Sequence, residues 1–288
     1  MTLGVSMRAK IWLLVIWIAL PLAPSYHLAT LSCQGAARRA CLWAAVATSR
    51  RDQIKLTSQL QQAKSLSELM RLHDRFGEEF NEIHLSAAWI QVGRLPRTRG
   101  SSPRDTLALQ QTTIRMAMRR ELGSRALSNI AYGASRSGTY GASRNGARNS
   151  ELFESLAICA RADSCRRIRA FTPQALANTA WAFARAGHPA PELYAAIAAE
   201  AIGRAGEFRP QGLANMAWAY AKSGNPSAAL YDALASAAAH QLRTDPRGFN
   251  PQNLANMVWA YATVGHPAPQ LFDAVATVAL CRLDTFTP

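Results

Sequence analysis

The residues with the most chemistry to offer recur in sets along the C-terminal half of the chain. Gln174, Asn178 and Arg185 form one set, Gln211, Asn215 and Lys222 a second, and Gln252, Asn256 and Thr263 a third. Amides donate and accept hydrogen bonds at base edges or phosphates, and cations neutralise backbone charge. A Trp accompanies each set, at Trp181, Trp218 and Trp259, and planar rings stack on bases. Together these groups suit single-stranded nucleic acid. Asn129 and Arg136 offer a similar pair upstream. Covalent chemistry has no such support, because no GxSxG, HExxH, Walker loop or glycine fingerprint is present. His188 and His266 stand beside Pro, where a turn or exposed role is expected rather than acid-base work. The five cysteines show no CxxC pair and no His spacing for a tetrahedral zinc site, so reduced thiols are expected, with Cys159 a small buried hydrophobe. The sequence therefore predicts no enzyme, no cofactor, no metal and no small-molecule substrate.

Each set must be held by a recurring element. Aligned on Phe-x-Pro, the copies begin at Phe171-Thr172-Pro173, Phe208-Arg209-Pro210 and Phe249-Asn250-Pro251, and the Trp residues are 37 and 41 positions apart. Pro at a first helical position and Gly187, Gly224 or Gly265 fourteen residues later are start and stop signals in their proper order. A short turn follows, then a second apolar-periodic run beginning Leu193-Tyr194, Leu230-Tyr231 or Leu271-Phe272. Each period is thus a helical hairpin that cannot bury its apolar face alone and must stack on neighbours. The fold expected is all-α, an α-solenoid of two-helix units of about 37–41 residues over 171–288. Phe286-Thr287-Pro288 reads as the start of a fourth unit, as in a fragment of a longer protein.

Weaker copies lie upstream. Ala126 to Gly138 places Tyr132 where the others have Trp, and the duplicated Tyr-Gly-Ala-Ser-Arg stretch (Tyr132 to Arg136, Tyr140 to Arg144) reads as a loop insertion. Phe80 to Trp89 repeats the shape more loosely after an amphipathic helix around Leu60 to Arg75, and Arg94 to Arg104 reads as an exposed linker. Residues 52–96 are read as a cap or degenerate unit, and 97–170 as degenerate units with a basic linker and an insertion.

At about 100° per residue, Leu176, Ala180, Phe183, Ala184 and Gly187 gather on one side of the first helix, while Gln174, Asn178 and Arg185 gather on the other beside Trp181. Stacking aligns the polar sides into a ladder. A ligand-binding role competes with a structural one, since a recurrent Asn can cap backbone or bond the adjacent unit and a Trp at helical spacing can be core. If bases are read, positions that vary between copies carry the code, which favours Ala175, Gly212 and Asn253 over Thr179, Met216 and Met257.

The formal charge of +14 points to an acidic partner, but it is unevenly placed. Residues 1–170 hold 25 Lys or Arg against 11 Asp or Glu, whereas 171–288 hold 7 of each. Strong phosphate binding by the neutral half alone is not expected, so Arg115, Arg119, Arg120, Arg125, Arg136 and Arg144 would have to help. At the N-terminus, Arg8 and Lys10 precede the apolar run Ile11 to Leu20, too short to span a membrane, and an acid-free Arg-bearing stretch continues to Arg51. Residues 1–51 read as a signal-like then transit-like presequence, with import into the mitochondrial matrix or plastid stroma; an anchoring leader is the alternative.

The pattern Pro-Gln-x-Leu-Ala-Asn-x-x-Trp-Ala-x-Ala-x-x-Gly, from Pro173 to Gly187 and twice more, resembles the octotricopeptide repeat family of algal and protist organelles. It is also similar to the helical repeats of FAST-kinase-like mitochondrial RNA proteins, many of which carry a RAP domain, and of kinetoplastid RNA-editing substrate-binding complex proteins. The resemblance implies sequence-selective binding of single-stranded organelle RNA in transcript processing, stability or translation. A scaffold for other ribonucleoprotein components is the rival reading.

Overall fold

A computed structural model describes residues 50–96, 103–137, 146–162, 166–225 and 227–281. Contacts divide the chain into Met1–Ile54 and Lys55–Pro288; of the first, only residues 50–54 are described, and they are helical. The presequence readings before residue 50 therefore lie outside the described residues. So do the linker residues 97–102, Gly138, the second Tyr-Gly-Ala-Ser-Arg stretch, Cys33, Cys41, Cys165 and Phe286 to Pro288.

Among the described residues every regular element is helical and no strand occurs. The second unit of contacts comprises α1 (55–62), α2 (Leu66–Phe76), α3 (Glu82–Val92), α4 (Leu107–Met118), α5 (Ser124–Arg136) and α6 (Gly146–Arg161). It continues with α7 (Pro173–Ala186), α8 (Pro191–Ile202), α9 (Pro210–Ser223), α10 (Ala228–Thr244), α11 (Pro251–Val264) and α12 (Pro269–Leu280). None of the described helices is long and apolar enough to cross a membrane.

The start and stop residues do what their chemistry requires. Thr172 accepts from the Ala175 N–H at 3.2 Å, and Asn250 and Asn253 cap each other reciprocally at 2.8 and 3.2 Å. Gly187, Gly224 and Gly265 each adopt φ 66°, the left-handed conformation in which Gly ends a helix without a Cβ penalty.

Two sets of helices follow from the packing. The odd-numbered helices α3, α5, α7, α9 and α11 pack in succession, each on the next, while the even-numbered α4, α6, α8, α10 and α12 do the same beside them. Close approach within the first set depends on small residues. Ala177, Ala182, Ala214, Ala219 and Ala260 are fully buried, and a Cβ on Gly133 would collide with the Trp89 carbonyl. Leu176, Phe183, Leu213, Tyr220, Leu254 and Tyr261 turn the opposite way and fill the space beneath the even helices. Burial of each such side chain stabilises by about 1.5–3 kcal/mol relative to exposure.

Buried tyrosines tie the helices together. Tyr194 and Tyr231 donate their hydroxyls to the carbonyls of Ala180 and Ala217 within the same hairpin, at 3.2 and 2.9 Å. Tyr220 and Tyr261 donate back to the carbonyls of Tyr194 and Tyr231 in the preceding hairpin, at 2.5 and 2.6 Å. One step earlier the corresponding contact is Phe153 against Phe183, edge-on at 4.9 Å, with no hydroxyl on either side.

Three expectations need correction. The helix expected across Leu60 to Arg75 is broken at 63–65, where Ser65 accepts from the Glu68 N–H and starts α2 afresh. Trp89 is not the counterpart of Trp181. Counted from the first helical residue, Ile90 holds that place, and Trp89, one position earlier, is buried and donates to Thr113 Oγ1 at 2.9 Å. His188 is not an exposed turn residue either: it is buried against Phe153 and Phe183 and meets Glu154 at 3.2 Å, as the half-buried His266 meets Asp232 at 2.8 Å. Cys159 is buried and Cys281 exposed.

Candidate nucleic-acid interface

The odd helices from α5 to α11 carry one polar stripe each, on the side away from Leu176, Leu213 and Leu254. In α7 it runs Gln174, Asn178, Trp181, Arg185; in α9 Gln211, Asn215, Trp218, Lys222; in α11 Gln252, Asn256, Trp259, Thr263. In α5 the same places hold Arg125, Asn129, Tyr132 and Arg136, so the stripe extends one helix further than the three strong copies. Gln174, Gln211 and Gln252 are exposed, while Asn129, Asn178, Asn215 and Asn256 are half-buried.

An unbroken aromatic row runs across the four helices. Tyr132 meets Trp181 at 5.3 Å between ring centroids, Trp181 meets Trp218 at 6.2 Å, and Trp218 meets Trp259 at 6.4 Å. Successive planes are tilted by 33°, 36° and 34°. Rings in contact lie about 4.5–7 Å apart, so these faces are taken up by one another and no gap admits a base between them. Trp259 is the most open, 44% exposed. Cation placement is tied to the same row, with the Arg136 guanidinium 5.6 Å over Tyr132 and that of Arg185 5.2 Å over Trp181. Arg185 Nε also donates to the Ser135 carbonyl at 3.3 Å, across the α5–α7 contact.

The amides behave differently. Among the described residues, the side chains of Asn129, Asn178, Asn215, Asn256, Gln174, Gln211 and Gln252 engage in no hydrogen bond within the chain. Capping roles fall instead to Thr172 and Asn250, one position before each helix. The row thus offers amide donors and acceptors with their full capacity available to a ligand. Lys222 is exposed, and Thr263, in the third cation place, bonds back to the Trp259 carbonyl at 2.7 Å.

The positions expected to vary with the base lie elsewhere. Ala175 and Asn253 are buried, and the Asn253 side chain is occupied in its capping box. Gly212 is half-buried, with a Cβ there 3.2 Å from the Phe208 ring. Thr179, Met216 and Met257 are buried. None of these adds an exposed polar group to the stripe.

Of the upstream arginines, Arg115, Arg119, Arg120, Arg125 and Arg136 are exposed and Arg144 lies outside the described residues. Arg115 donates to Thr112 Oγ1 at 3.2 Å in α4, away from the stripe, whereas Arg125 and Arg136 belong to it. The Tyr latches were hidden in the sequence because Tyr194 and Tyr231 sit inside runs that read as apolar. Comparison with known proteins returns no matching family model and no matching curated protein.

Proposed function

We propose that the chain is an α-solenoid of stacked two-helix units that binds single-stranded RNA along its odd helices, in the maturation, stability or translation of organelle transcripts. The observation carrying this reading is the row of unengaged amides from Asn129 to Asn256, set at one height on successive helices and flanked by Arg136, Arg185 and Lys222. Such amides satisfy base edges or phosphates, while the neighbouring cations offset backbone charge. The covered faces of Trp181 and Trp218 favour a structural part for the aromatic row, with recognition resting on the amides.

Fluorescence anisotropy with single-stranded and duplex RNA tests the reading. The four cations of the stripe, Arg125, Arg136, Arg185 and Lys222, predict a log–log salt slope of about −3 on single strands and weaker binding to duplex. The equal numbers of acidic and basic residues in 171–288 favour a second reading, a scaffold for ribonucleoprotein components. Salt-insensitive capture of protein without RNA would establish that instead.

A further inference from the structure

We propose that the stripe ends, on its α3 side, in a slot that holds a single nucleotide, base inward and phosphate at the rim; the inference rests on the RNA-binding reading above. On α3 the places of Gln174, Asn178 and Trp181 are taken by Ile83, Ala87 and Ile90. The polar row thus gives way to an apolar strip, and Ile83 is left 59% exposed. This strip floors a cavity of about 490 Å³ between α1, α3 and α5, a size within the range of about 300–1,000 Å³ typical of small-ligand sites.

The polar groups around that floor have a definite arrangement. Gln61 stands on the α1 side, with Asn129 and Arg125 on the α5 side. Among the described residues, none of these three side chains is engaged in a hydrogen bond or ion pair. Glu82 also faces the cavity and is fixed there by the Gly123 N–H, which donates to Oε2 at 2.6 Å. A carboxylate at that place repels phosphate, which leaves Arg125 as the phosphate partner and directs the uncharged base toward the isoleucines. A nucleobase matches this division: apolar faces for Ile83 and Ile90, and a polar edge for the amides of Gln61 and Asn129.

Adenosine 5′-monophosphate is the probe, titrated into the full chain by ligand-observed NMR with inorganic phosphate as control. Binding is expected to weaken about tenfold in Ile90→Gln, Arg125→Gln and Asn129→Ala, the loss of about one net contact each, and to be unchanged in Asn215→Ala. Arg125 and Asn129 have no partner to lose among the described residues, so those variants retain the fold if Ile90→Gln does not. A chain that binds single-stranded RNA but not the mononucleotide, or binds it equally in all three slot variants, overturns the slot and leaves the RNA reading standing. Mononucleotide binding sensitive to these variants, in a chain that binds no RNA, upholds the slot and overturns the RNA reading. Binding of neither overturns both.

Discussion

Tyr220 donates its hydroxyl to the main-chain carbonyl of Tyr194 at 2.5 Å, and the two rings meet edge-on at 5.2 Å. The bond joins α9 to α8, the second helix of the hairpin before it, and it recurs between Tyr261 and Tyr231. Removal of the hydroxyl leaves a buried carbonyl without that donor. Tyr220→Phe is therefore expected to destabilise by about 1–2 kcal/mol in chemical denaturation. Phe183 stands at the place of Tyr220 and faces Phe153, whose main-chain carbonyl is the equivalent acceptor, so Phe183→Tyr is expected to raise the denaturation midpoint; a lowered midpoint would contradict the pairing rule.

Alkaline pH should open the same contacts. Burial pushes the hydroxyls of Tyr194, Tyr220, Tyr231 and Tyr261 well above their ordinary value of 10.0. The folded chain therefore keeps these protons while the unfolded chain releases them near pH 10. Stability is fully present below pH 10 and falls as pH rises beyond it. Tyrosinate absorbance is predicted to appear together with loss of helical circular dichroism; ionisation of all four in a chain that stays helical would contradict their burial.

His73 gives the opposite dependence. Burial lowers its pKa below 6.5, an effect partly offset by Asp74, and Nε2 meets Thr112 Oγ1 at 3.1 Å. Above pH 6.5 the ring is neutral in both states. As pH falls, the unfolded chain takes up a proton that the folded chain resists, so stability declines until the lowered folded value is passed. His73→Gln should flatten the stability curve on the acid side of pH 6.5. An unchanged slope would assign that acid dependence to other groups.

The sequence carried the odd helices well and the contacts between hairpins poorly. Pro173, Pro210 and Pro251 with their closing glycines are local signals, since the residues that set each boundary act on backbone within a few positions, and those helices begin and end where they predict. Tyr132 was readable as the counterpart of Trp181 because spacing within a helix is also local. Trp89 misled because an aromatic one position off the row points into the core, and a shift of one residue turns a helix by about 100°. Asn253 misled for a different reason. Its variation between copies resembled a base code, but Asn250 recruits it into a cap, a pairing visible only once both side chains are placed. The His188–Glu154 and Tyr220–Tyr194 contacts link different hairpins, and no local spacing announces them.

The central claim is that unengaged amides on successive odd helices contact RNA, and crosslinking with sequencing of bound RNA tests it most directly. The full chain is compared with the combined variant Asn178→Ala, Asn215→Ala and Asn256→Ala, whose side chains support no hydrogen bond among the described residues and whose loss should leave thermal stability nearly unchanged. Enrichment of a few organelle transcripts by the natural chain, abolished in a variant that remains folded, is the predicted result. Equal recovery by both chains, or none by either, would contradict it.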